Sequence, residues 1–249
     1  MADDLYADLR EQLIRSRERR FDMEMSVALA PWVGGPAEGK GAMFVATNRT
    51  EYLVVPVNRV MRFTCVSDLD EYRDSLHDPS CTVVHYVEPV GPLDAGSAEA
   101  FELVELTADG VRRPVRRAVR TGAQVYTASL GDGARAGERR VAISYTHLIQ
   151  QHGHLLHLDI SRPVKGLKVQ FGYEGCGIRH VNVVDYIAGS SQTRLSRLPA
   201  SGPTPSVALG FDGWVLPKAG VGFVWVLERE MAPVPGPGHK MHLTAHAPD

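Results

Sequence analysis

Apolar and polar positions alternate with a period of two along most of this chain. Met23, Met25, Val27 and Leu29 take every second position before Pro31, a spacing that sends successive side chains to opposite faces of a strand. The same alternation runs through Met61, Phe63 and Cys65, through Cys81, Val83, His85 and Val87, and through Phe101 and Leu103. Further β-prone runs cover 124–130, 139–148, 155–160, 167–173, 180–186, 206–209 and 221–227. Glycine- and proline-rich turns separate them: a loop over 34–41, Gly131-Asp132-Gly133, Pro163 to Gly166, Ser201-Gly202-Pro203 and Lys218-Ala219-Gly220. Ala108-Asp109-Gly110 predicts a tight hairpin, because Asp-Gly accepts the positive φ angles such a turn needs. Val221, Phe223 and Trp225 on one face and Val224 and Val226 on the other predict a central strand covered on both sides. Many short strands at regular spacing predict a mainly β chain, an antiparallel β-sandwich or a distorted barrel.

Helical periodicity is confined to two places. Leu5, Leu9 and Leu13 behind Asp3 or Asp4 predict an N-terminal amphipathic helix over 1–20, whose basic end, Arg15 to Arg20, suits the helix macrodipole. Its leucine stripe could dock on the domain or pair two copies as a homo-oligomer. Ser67 to Arg73 predicts a single helical turn. The expected organisation is a helix over 1–20, a β-sandwich domain over 21–230 with a subdomain joint near 91–96, and a flexible Pro- and Gly-rich tail over 231–249.

Composition narrows the function classes. A net charge of −2 across 249 residues supplies no global attraction to nucleic acid or to an anionic membrane. No stretch approaches the roughly 20 apolar residues of a membrane span, and the acidic start carries no apolar leader, so a cytoplasmic location is expected. Cys65, Cys81 and Cys176 form no CxxC pair and fit reduced, buried thiols.

Candidate chemistry is concentrated in Gln150 to Asp159, where His152, His154 and His157 crowd one short segment. On a strand His152 and His154 share a face about 7 Å apart, a reach from which two imidazoles can hold one metal. With His180 they make a candidate zinc site, Glu174 serving as base toward bound water and Arg179 stabilising an oxyanion. Cys176 is a candidate nucleophile, although on one strand it would lie about 13 Å from His180. HxH alone is a weak motif, and GxSxG, P-loop and GxGxxG signatures are all missing from the sequence. Arg112, Arg113, Arg116, Arg117 and Arg120 populate both faces of a ribbon containing Pro114, which predicts an exposed edge, either guarding against aggregation or contacting phosphates. Trp214 and Trp225 flank one turn and are expected in one core or on the rim of one groove.

The sequence therefore favours a non-catalytic cytosolic binding or regulatory module for a protein or small-molecule partner. The alternatives are a metal-dependent hydrolase built on His152, His154 and His180, and a nucleic-acid or nucleotide sensor built on the arginine ribbon.

Overall fold

In a computed structural model of the chain, which describes residues 18–78, 80–131, 137–187, 193–198 and 204–231, the architecture is mainly β. In chain order come β1 (Arg20–Pro31), β2 (Met43–Val54), β3 (Val60–Val66), the α-helix α1 (Leu69–His77), β4 (Cys81–Tyr86) and β5 (Phe101–Ala108). There follow β6 (Val111–Arg112), β7 (Val115–Arg120), β8 (Ala123–Ser129), β9 (Arg139–Gln150), β10 (Leu155–Asp159) and β11 (Val164–Gly172). The last four are β12 (Ile178–Asp185), β13 (Arg194–Leu198), β14 (Ser206–Val215) and β15 (Gly220–Leu227). The expected N-terminal helix, with Leu5, Leu9 and Leu13, lies outside the described residues except at its last three positions, where Glu18 and Arg19 are irregular and Arg20 opens β1. The expected tail likewise lies outside them beyond Met231.

An eight-stranded sheet runs β13-β14-β11-β1-β2-β9-β5-β6, a four-stranded sheet β4-β3-β8-β7 and a three-stranded sheet β10-β15-β12. None of the three closes into a barrel. Pairing is mostly antiparallel, and the sheets are mixed at two places: β1 runs parallel to β11, and β3 parallel to β4. In the second, α1 supplies the crossover that a parallel pair of successive strands needs. Ala108-Asp109-Gly110 does form the expected hairpin, with φ of 54° at Asp109 and 75° at Gly110 between β5 and β6.

Period-two alternation places one face of the large sheet in the core. Val27, Asn48, Tyr145 and Leu103 lie directly across from one another on β1, β2, β9 and β5, and Phe171 continues the row on β11. That face meets the two smaller sheets side by side. Phe171 stacks on Phe223 of β15 at 4.4 Å between ring centroids, and Phe44 meets Trp225 edge-on at 5.9 Å. Further along, Phe101 packs on Tyr126 of β8 at 5.7 Å. β15 is the central strand of its sheet, but its second face is only partly covered, with Val224 half-buried and Val226 39% exposed.

The helix α1 is longer than the single turn expected. Asp68 caps it, its carboxylate accepting from the Asp70 and Glu71 backbone N–H groups at 2.9 Å each. Asp68→Ala is expected to cost about 1 kcal/mol, roughly 2–4 °C in thermal midpoint for a chain of this size, while Asp68→Asn keeps most of it. An unchanged melting curve for Asp68→Ala would show that the cap does not hold α1 in place.

Candidate binding cleft on the outer sheet face

The histidines singled out in the sequence are not arranged as a strand would arrange them. Gln151–Gly153 is a 3-10 turn ended by His154 in the left-handed conformation at φ 52°, so His152 and His154 do not share a strand face. His154 Nδ1 donates to the Trp225 carbonyl at 3.1 Å, and its Nε2 lies 3.3 Å from Glu230 Oε1. His180 stands on β12, on the far side of β15 from β10, and its Nε2 donates to Asn182 Oδ1 at 2.9 Å. His157 stacks on Tyr186 and pairs with Asp159. Among the described residues, no group of three or more His, Cys, Asp or Glu is placed to hold a metal ion.

Glu174 and Cys176 occupy the turn between β11 and β12, and Arg179 is exposed on β12. Burial pushes the Cys176 thiol up to about 12, which leaves it protonated and a poor nucleophile at neutral pH. The arginine ribbon is divided between two sheets: Arg112 lies on β6 at the edge of the large sheet, and Arg116, Arg117 and Arg120 on β7 at the edge of the four-stranded one, with Arg113 between. Arg117 donates to Gln124 Oε1 at 3.0 Å, and Arg120 to Glu71 Oε2 at 2.6 Å. Trp214 and Trp225 belong to different sheets. Trp214 is half-buried against Phe21, whereas Trp225 is in the core.

A cleft of about 580 Å³ opens elsewhere, on the outer face of the eight-stranded sheet. Strand register builds it. Across β13, β14, β11, β1 and β2 one row reads Arg194, Gly210, Lys168, Glu24, Glu51, and the next reads Ser196, Ala208, Gln170, Ser26, Arg49. Gly210, Ala208, Ser26 and Ser196 are short, so the sheet is hollow between the longer side chains of Arg194, Lys168, Gln170 and Arg49. The side chains of Ser26, Gln170 and Ser196 make no hydrogen bond among the described residues, which leaves donors and acceptors open along the floor.

Charge is distributed unevenly between the two rows. In the first, Lys168 donates to Glu24 at 2.8 Å, a bond that raises the ammonium pKa. Arg194 forks onto Asp212 through both guanidinium nitrogens, and this hydrogen bonding holds the Asp212 carboxyl below its ordinary range. Arg140 donates to Glu51 at 2.8 Å. In the second row Arg49 reaches the same Glu51 only at 3.7 Å and is 62% exposed. Arg49 is therefore the least committed of these cations.

A second polar cluster, also unforeseen from the sequence, lies where β4 and β9 meet, with His147 buried and His85 half-buried. His85 and His147 lie 4.3 Å apart, with Phe101 and Tyr145 packed against them. His85 Nε2 donates to the Leu148 carbonyl at 3.3 Å. The Asn48 amide donates to the Ala46 carbonyl and to His147 Nδ1, each at 3.1 Å, which places the proton of neutral His147 on Nε2. Burial pushes His85 down to about 4, and burial together with His85 holds His147 well below the ordinary imidazole value. Both rings are neutral at physiological pH.

No family model and no curated protein matches the chain. Among solved structures it is similar to a crystal structure described as "a putative protease" from Parabacteroides distasonis, at 8% identity and a TM-score of 0.45, over 84% of this chain and 40% of that one. This chain thus spans about two fifths of that protein's length.

Proposed function

We propose that the chain is a non-catalytic binding module: a two-layer β-sandwich that receives a small polar ligand in the cleft crossing β13, β14, β11, β1 and β2. The observation that carries this reading is the floor of Ser26, Gln170 and Ser196, whose hydrogen-bonding groups are unused among the described residues and sit in a hollow about 580 Å³ in volume. That volume falls within the roughly 300–1,000 Å³ of small-molecule sites. Three free cysteines fit a reducing, cytoplasmic setting. No helix among the described residues is long and apolar enough to cross a membrane.

Ala208→Trp tests the reading, since an indole on the floor of the hollow fills it while leaving the buried face of β14 untouched. A screen of small amides, polyols and organic acids against the isotope-labelled protein is expected to move the backbone resonances of Ser26, Gln170 and Ala208, and Ala208→Trp is expected to abolish those shifts. Responses that cluster elsewhere, or survive the tryptophan, would place ligand binding outside the cleft.

A further inference from the structure

The asymmetry of the two rows points to the chemistry of the ligand. We propose that the cleft takes a small molecule with a carboxylate at one end and an amide or hydroxyl body, the carboxylate received by Arg49 and the body lying along Ser26, Gln170 and Ser196. This rests on the reading of the cleft as a ligand site and adds the class of ligand.

Two observations support it. The first row is closed electrostatically: Lys168 is held by Glu24, Arg194 by Asp212, and Glu51 by Arg140. A charged ligand entering on that side would have to break short, formed ion pairs. The second row is open. Among the described residues Arg49 is joined only to a carboxylate that already has a closer partner, at 3.7 Å against 2.8 Å, so redirecting its guanidinium sacrifices little. Its planar fork matches a carboxylate through two parallel N–H···O bonds, and charge-assisted bonds of this kind are about twice as strong as neutral ones. The remainder of that row, from Ser26 to Ser196, is uncharged. It suits a neutral hydrogen-bonding body better than a second charge. Among the described residues no aromatic side chain lines the hollow, so they offer no stacking platform for a sugar ring or a base.

The test uses a matched pair of probes, N-acetylglycine and its neutral amide N-acetylglycinamide, titrated into the labelled protein and followed at the Arg49 side-chain Nε–H and the Gln170 side-chain amide. The acid is expected to bind about tenfold more tightly than the amide, and Arg49→Gln to bring the acid to the affinity of the amide, as expected for loss of one charge-assisted contact. Arg49→Lys is expected to recover part of the difference. Equal affinity of the two probes for the cleft, or no effect of Arg49→Gln, would overturn the carboxylate assignment while leaving the cleft as a ligand site. Failure of both probes, and of the wider screen, to move any cleft resonance would remove the binding reading and the ligand class with it. Inorganic phosphate serves as the third arm. Displacement of N-acetylglycine by phosphate at equal concentration would show that Arg49 receives any oxyanion and would overturn selectivity for carboxylate.

Discussion

Acidification from about pH 7.5 to about pH 4.5 is expected to remove folding stability on the order of 2–3 kcal/mol through His85 alone, with His147 adding to the loss in the same direction. Unfolded, His85 titrates near the ordinary imidazole value of 6.5, while burial in the folded chain pushes it down to about 4. Between those values the unfolded chain binds a proton that the folded chain refuses, so stability climbs with pH across this window and is lost as pH falls through it. Protonating His147 meets a further penalty, because a new Nδ1–H would face the Asn48 amide that already donates to that nitrogen. Urea midpoints measured across the window for wild type and His85→Leu isolate the contribution. The variant forfeits one hydrogen bond to the Leu148 carbonyl at neutral pH but is expected to lose less stability on acidification. Identical pH slopes for the two proteins would show that His85 is not a buried neutral base.

Trp225→Ala is expected to be the most damaging single substitution in the three-stranded sheet, at about 3–5 kcal/mol and on the order of 10 °C in thermal midpoint. Trp225 is 1% exposed, packs edge-on against Phe44 of the large sheet and donates from Nε1 to the Gln151 carbonyl at 3.0 Å. Its loss opens a cavity between two layers and orphans a buried acceptor. Trp225→Phe keeps most of the ring and forfeits the hydrogen bond, for which about 1–3 kcal/mol is expected. If the two substitutions prove equally costly, the hydrogen bond rather than the packing secures this strand to the large sheet.

Strands with uninterrupted apolar alternation, such as β1, β9 and β15, were legible from residue order alone. β2 was not, although it lies within the large sheet between β1 and β9. Its buried series runs Phe44, Ala46, Asn48, Thr50, Tyr52, Val54, and the two polar members hide the period from a reading based on hydrophobicity. Asn48 is inside because it orients His147, a reason that exists only once β2 and β9 are paired. The cleft was hidden for a related cause. Its residues come from five strands, and their adjacency depends on a strand order that places β11 beside β1 and β13 beside β14. His152, His154 and His157 drew attention because they are close in sequence, whereas His85 and His147 are far apart in sequence and meet across two sheets.

The parallel pairing of β1 with β11 bears on how the protein comes into being. Glu24 and Lys168, joined across that pair, are 144 residues apart. On a ribosome β1 can hairpin onto β2 at once, but its other edge stays bare until β11, which begins at Val164 while β1 ends at Pro31, has been synthesised. During that interval Met23, Met25, Val27 and Leu29 lie on an open edge able to recruit a strand from another nascent chain. Newly made copies are thus most exposed to mutual aggregation before β11 arrives, and slow, crowded synthesis lengthens that exposure.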